Sequence, residues 1–381
     1  MKRSFKAMAA ILSIILVLTL LGGCDAKEKA TLKEGRRYFC YEQLDANQQD
    51  IYLGILDNLF SGEDSILLLD VSFNRFEKVF TALLDDHPEL FWLSGVYKCY
   101  EGDIFGLDYL VIEPEFYVEK EELSQYRDKF DSKVKEIKES ASLLESDYEK
   151  ALYVHDYIVN NTEYNYELSE KITSKDGVNH LDAYNCLVEG TAVCQGYTDV
   201  FEIVMNELGI PCGSVLGKSK VEDGEQSGDA YHIWNFIELE GENYYIDVTW
   251  ADPHPEEKEN FDICYEYFCI DTKELEITHE ISYDENIFVP LCNGKKYNYF
   301  RQNGMFAEKY NFSSVSQIIS KQTENDAVFI KFSSNEELKR AEKQLFDNEK
   351  IFNIKAVYNS ADSVSYTTGY SGRLLYIFLQ K

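Results

Sequence analysis

The chain has 381 residues, enough for two or three domains with cores of their own. An aromatic content of 14% with only six prolines excludes a disordered chain. A formal charge of −31 excludes a nucleic-acid or anionic-lipid surface; solubility is its plain meaning, and a preference for amine-bearing partners is the sharper one.

At the N-terminus Lys2, Arg3 and Lys6 precede the apolar run Ala7–Leu21, which ends in Leu21-Gly22-Gly23-Cys24. The run is short for a membrane span, and its order is that of a secretion signal. Its ending resembles a bacterial lipobox, which implies a signal peptide over 1–23 and Cys24 as the lipidated first residue of the mature chain. Residues 1–23 carry three basic and no acidic residues, so their removal takes the charge from −31 to −34. The competing reading is an uncleaved signal anchor. Either way the bulk of the chain is expected outside the cytoplasmic membrane, with 24–33 as a short tether; in the lipobox reading the lipid on Cys24 holds it there.

Residues 34–118 predict a small α+β unit. Helical patterns cover 47–60 and 72–85, Asp86-His87-Pro88 breaks the chain, and strands follow at Tyr97–Tyr100 and Tyr109–Val118. Leu123, Tyr126, Phe130, Val134, Ile137, Ala141 and Leu144 then mark a long amphipathic linking helix within 119–145. Ser146 with Glu149 predicts a capping box that opens the next helix and a domain over 146–290.

Within 146–290, three segments carry chemistry: Thr-Ala-Val-Cys-Gln-Gly-Tyr at 191–197, Tyr-His-Ile-Trp-Asn at 231–235 and Tyr-Tyr-Ile-Asp-Val-Thr-Trp at 244–250. After Cys194, the apolar positions Tyr197, Val200, Phe201, Val204, Met205 and Leu208 predict a helix with one buried face, ended by Gly209 and Pro211. Cys194 then sits in the first turn. There the free N–H groups and the positive end of the dipole favour a thiolate and can hold an oxyanion. Gly196 is expected to leave room for a close-approaching substrate. Ala230–Leu239 and Asn243–Trp250 predict a hairpin turned at Glu240-Gly241. A two-residue loop sets Trp234 opposite Asp247 and brings His232 to the same face, about 7 Å away between Cβ atoms. A three-residue loop would separate them.

Each residue has a plain reading alone: a small buried thiol, a structural histidine, an aspartate ending a strand. Their conjunction, in order and with matching parity, favours nucleophilic chemistry at Cys194, with His232 as base and Asp247 as its orienting acid. These segments, followed by Asp252-Pro253, resemble the bacterial transglutaminase-like (papain-like cysteine) superfamily. The resemblance extends upstream to Asp147–Tyr166 with His155-Asp156-Tyr157, and downstream to Tyr267-Phe268 and Thr278-His279. It implies an α+β fold, a nucleophile helix packed on an antiparallel sheet, with small α/β flanking domains. It also implies an aromatic oxyanion helper, for which Tyr166 or Tyr164 is the candidate. The activity implied is acyl transfer or amide hydrolysis through a thioester on a protein or peptide. A plain cysteine peptidase or amidase of envelope proteins or wall peptides, and a non-catalytic envelope binding protein, are the alternatives.

Residues 291–381 predict an α/β accessory module, with strands at Val328–Phe332 and Val364–Leu379 and a helix at Asn335–Phe346 between them. Its many aromatic residues suit strand core better than carbohydrate contacts. Nine cysteines, less Cys24 and Cys194, leave seven, which read as mostly buried thiols. His155 is expected to pack on its helix. His87, His180, His254 and His279 lack metal-ligand spacing, Cys264 and Cys269 are too isolated for zinc, and no calcium loop is visible. The expectation is a protein with no metal or other cofactor and no nucleic-acid partner.

Overall fold

A computed structural model of the chain describes residues 32–33, 35–173, 182–220, 231–254, 262–325 and 327–380. The secretion signal, Cys24, most of the tether and His180 lie outside the described residues.

The first unit pairs helices α1 (Ala46–Phe60) and α2 (Phe73–Asp86) with a small antiparallel sheet. Its strands are β1 (Ile66–Leu69), β2 (Leu93–Ile104) and β3 (Leu107–Phe116), in the order β1-β3-β2. Asp45 caps α1 through a full capping box with Gln48. The short run Ile66–Leu69 has too few residues to declare a period, which is why sequence patterning passes over β1.

Helix α3 (Lys120–Ala141) follows and buries Phe130, Val134, Ile137 and Ala141. Helix α4 (Asp147–Asn161) opens with the expected Ser146–Glu149 box, both halves formed. The short strand β4 (Glu163–Tyr164) and helix α5 (Tyr166–Thr173) come next. β4 pairs in parallel with β5 (Thr191–Ala192), which delivers the chain to α6 (Cys194–Glu207).

Five antiparallel strands carry the middle of the chain: β6 (Cys212–Ser219), β7 (Tyr231–Leu239), β8 (Glu242–Ile246), β9 (Phe268–Ile270) and β10 (His279–Ile281). They lie in the order β10-β6-β7-β8-β9, with α6 packed on the sheet. This is the α+β arrangement expected for the core. The last unit is a four-stranded sheet of β11 (Phe306–Ala307), β12 (Ala327–Phe332), β13 (Ser363–Thr368) and β14 (Leu374–Gln380), ordered β11-β12-β14-β13. Helices α7 (Phe312–Ser320) and α8 (Asn335–Glu342) accompany it.

Three expectations need correction. The stretch 364–379 is not one strand but the hairpin β13–β14, because Gly369 and Gly372 turn the chain in its middle. The strand expected to run to Trp250 stops at Ile246, for a reason given below. Helix α6 does not bury a single face: every residue from Gly196 to Asn206 is buried, Asp199 and Glu202 included. It packs against α3, α4 and strands β6 and β7, and Arg36, Asp86 and Glu89 of the first unit come near Glu202. Burial pushes both carboxyls well up.

The apolar interior of the first unit is continuous with that of α3, α4 and α6, and one cluster runs from Cys40 to Cys269. Phe91 lies 4.8 Å from Phe130 and 5.6 Å from Tyr184, and Phe39 stands edge-on to Phe236 at 4.8 Å. The interior of the last unit, from Ala307 to Leu379, is separate.

Candidate active site

Helix α6 and strand β7 are locked together beside the residues of interest. The Thr198 hydroxyl donates to the Ile233 carbonyl at 3.1 Å. The Asn235 amide donates to the carbonyls of Thr198 at 3.0 Å and Gly213 at 3.4 Å. Asn235 is fully buried, so these bonds are made without competition from water. They fix the first turns of α6 against the strand that carries His232.

Cys194 is the first residue of α6, entered from an extended Val193, and its thiol is half-exposed. Within this turn the Gly196 and Tyr197 N–H groups donate to the Val193 carbonyl at 3.0 Å and 3.5 Å, while those of Cys194 and Gln195 precede any intrahelical carbonyl. Gly196 does not serve a substrate. A Cβ there would stand 2.6 Å from the Asp182 carbonyl and 2.8 Å from the Ala192 Cβ, so the glycine lets α6 seat on its own scaffold.

The β7–β8 loop has two residues. Leu239 pairs with Glu242, and Glu240 and Gly241 both take positive φ, 52° and 80°, as the tight primed turn requires. The pairing runs down to Asn235 opposite Ile246, which sets Trp234 opposite Asp247. His232 and Asp247 share a face, and His232 Nε2–H donates to Asp247 Oδ2 at 2.6 Å. The Cys194 side chain stands near the same ring and contributes to raising its pKa. With Nε2 committed to the carboxylate, Nδ1 is the nitrogen left for the sulfur. Asp247 Oδ1 accepts the Trp250 backbone N–H at 3.0 Å. That bond closes a short 3-10 turn over Thr249–Ala251 and ends the strand.

A second histidine reaches the same carboxylate. Strand β10 pairs with β6, setting His279 opposite Ser219, and His279 Nε2–H donates to Asp247 Oδ2 at 3.1 Å. The Thr278 hydroxyl donates to His279 Nδ1 at 2.9 Å, and Tyr267 O–H donates to Thr278 Oγ1 at 3.0 Å. This chain fixes the His279 tautomer with its proton on Nε2.

The electrostatics follow from burial and these partners. Burial alone would lower the His232 pKa, but the Asp247 charge and hydrogen bond, with Cys194, raise it to about 10. Burial alone would raise Asp247; the two histidines, His232 foremost, hold it below the usual carboxylate range. Burial outweighs the Asp247 bond at His279 and leaves that pKa lowered. At neutral pH the cluster is a carboxylate between an imidazolium and a neutral imidazole. An imidazolium at 232 stabilises negative charge on the sulfur beside it.

The ligating atoms of His232, Asp247 and His279 lie within 4.8 Å of one another. Two ligands at about 2.0–2.1 Å from a tetrahedral zinc would stand about 3.3 Å apart. The 2.6 Å and 3.1 Å separations, each along a ring N–H, are those of hydrogen bonds to a shared oxygen.

Residues 135–249 match the Transglutaminase-like superfamily. This stretch is a transglutaminase-like domain. The match takes in Cys194, His232 and Asp247 and stops short of His279. The kyphoscoliosis peptidases of Mus musculus and Homo sapiens are each 37% identical over 62 residues, which is 15% of this chain and 9% of theirs. The chain thus matches about a tenth of the length of these curated relatives. A solved structure of a TGase aligns at 16% identity with a TM-score of 0.28, covering 52% of this chain and 55% of that one.

Around the transglutaminase-like site, Tyr166 stands at the start of α5, 41% exposed, with its ring against Tyr164 at 4.9 Å and His254 at 5.3 Å. It belongs to an aromatic rim, as does Trp250. His155 is buried against Phe268 at 4.9 Å and bonded to Asp156 through Nδ1, a packing role as expected. Among the described cysteines, Cys99 and Cys194 are half-exposed and the other six are buried. His279 is the residue that patterning missed: a lone histidine without spaced partners gave no signal, and only its adjacency to Thr278 in the resemblance pointed to it.

Proposed function

We propose that the transglutaminase-like domain is a cysteine enzyme that opens an amide of a protein or peptide through a thioester on Cys194. The observation that supports this most is the His232 ring bonded to Asp247 with the Cys194 side chain set beside it. In this reading the thiol proton already rests on His232, a thiolate beside an imidazolium, and the sulfur attacks the amide carbonyl. The N–H groups at the very start of α6, those of Cys194 and Gln195, receive the oxyanion. The imidazolium returns its proton to the leaving amine or ammonia, and a thioester remains on Cys194. A second amine or water then releases the acyl group. Transfer and hydrolysis share every residue up to that last step. The name peptidase carried by the mammalian relatives speaks for water.

Incubation with a glutamine-containing protein and a labelled amine divides the readings. Amine incorporation lost in Cys194→Ala indicates transfer; new termini or ammonia alone indicate hydrolysis. A scaffold without chemistry would show no preference of iodoacetamide for Cys194 over Cys99 and no effect of His232→Ala on that labelling. We further propose that Cys24 carries the lipid that holds the enzyme on the outer side of the cell membrane, on the strength of the basic, apolar and Gly-Gly-Cys order before it. Cys24→Ala should then move the protein from the membrane fraction to a soluble one; an unchanged distribution defeats the anchor.

A further inference from the structure

The last unit, which lies outside the family match, closes on the candidate site from one side. The turn between β13 and β14, Gly369-Tyr370-Ser371-Gly372, leans on Glu266. Tyr370 N–H donates to Glu266 Oε2 and Ser371 N–H to Oε1, both at 3.0 Å, and the Ser371 hydroxyl adds a third bond to Oε1. Glu266 is 1% exposed. The approach is close enough that a Cβ on Gly369 would stand 2.4 Å from Glu266 Oε2. From β12, Lys331 Nζ donates to the Glu266 carbonyl at 2.9 Å and pairs with Glu274 at 2.9 Å. The turn is therefore fastened by a carboxylate, an ammonium and backbone together.

What this fastening positions is the Tyr370 ring. It packs on Trp250, with centroids 5.3 Å apart and planes at 53°. Trp250 in turn lies 4.5 Å from His279 and 5.9 Å from His232. Tyr370 thus stands one ring removed from His232, 37% exposed, beside a half-buried Trp250. Two tilted aromatic faces at the margin of a reactive centre offer apolar area with little conformational entropy to lose.

We propose that Tyr370 is a substrate-contacting residue, forming with Trp250 an apolar wall that takes a flat aromatic or bulky apolar side chain of a polypeptide next to the reacting amide. The inference rests on the reading of Cys194 as nucleophile and adds a substrate preference to it. It also gives the last unit a part in recognition: without its hairpin turn the wall has only Trp250.

The test uses the intact chain and two alkylating reagents, chloroacetamide and its N-(2-naphthylmethyl) derivative. In both, the Cys194 sulfur forms an S–C bond, the C–Cl bond breaks, chloride leaves and the thiol proton stays on His232. After division by the same rate ratio for free cysteine, the naphthyl reagent should react about tenfold faster than chloroacetamide. That ratio should collapse toward one in Tyr370→Ala and persist in Tyr370→Phe. A ratio near one in the unsubstituted protein, or an equal ratio in Tyr370→Ala, overturns the wall. If His232→Ala leaves the chloroacetamide rate unchanged, the nucleophile reading itself fails and this inference goes with it.

Discussion

Replacing Asp247 with asparagine is expected to lower activity by about 10³- to 10⁴-fold while the chain stays folded. The carboxylate accepts three N–H donors, from His232, His279 and Trp250. An amide has one oxygen to offer; turned to the fixed Trp250 backbone N–H, as Asp247 Oδ1 is, it presents its own N–H groups to the two rings that shared Oδ2. His232 then reverses its tautomer, carries its proton on Nδ1 toward the sulfur, and can no longer accept one from it. The pH dependence gives an independent check. The folded-state pKa of His232, about 10, lies above its ordinary value of 6.5. Its stabilising contribution is therefore full below about 6.5 and is lost as pH rises through about 10. Asp247 is shifted down, so its contribution is present above about 4 and is lost as pH falls toward its lowered pKa. Iodoacetamide alkylation of Cys194 should show an alkaline limb near 10 in the unsubstituted chain and, in Asp247→Asn, one displaced toward about 6.5. A variant with the original limb would rule out Asp247 as the group that sets His232. His279→Gln should act in the same sense more weakly, by up to about 10²-fold, since it loosens the carboxylate without removing it.

Lys331→Met is expected to destabilise the chain by about 3 kcal/mol. The Lys331 side chain is 2% exposed and its ammonium meets the Glu274 carboxylate and the Glu266 carbonyl. Methionine keeps most of the volume and removes the charge, so the cost is that of a carboxylate left half-buried without a counter-ion rather than of a cavity. Glu266, already raised by burial and held down chiefly by Lys331, loses that support as well. The urea midpoint should fall without a change in slope. Adding Glu274→Gln should recover more than half of the loss, because the stranded charge is gone. A neutral Lys331→Met would mean that the last unit is held on by its apolar contacts and the Ser371–Glu266 bonds alone.

Legibility in the sequence followed the range of the interaction. The extent of α6 was readable because its caps and apolar rhythm are local: Gly209 and Pro211 end it where periodicity stops. The parity of the β7–β8 hairpin was readable because two residues, Glu240 and Gly241, decide it. Burial of α6 on every side was not, since Asp199, Glu202 and Asn206 read as a solvent face until the first unit is laid over them. The end of β8 depends on a side-chain oxygen of Asp247 competing for the Trp250 N–H, which no strand propensity records. His279 arrives through the pairing of β10 with β6, a long-range event with no periodic trace. The division at Gly369 and Gly372 was open to reading and was outweighed by the aromatic and β-branched residues on either side.

The uninterrupted interior from Cys40 to Cys269 bears on how this chain came to be assembled. A family segment is commonly treated as a portable cassette, able to change neighbours and keep its shape. Here Phe39 covers Phe236 of β7 and Phe91 covers Tyr184, so the segment owns only part of its own dry interior. The residues ahead of it are thus not an appendage but part of the vessel, and any lineage that exchanged them would have had to rebuild that cover at the same time.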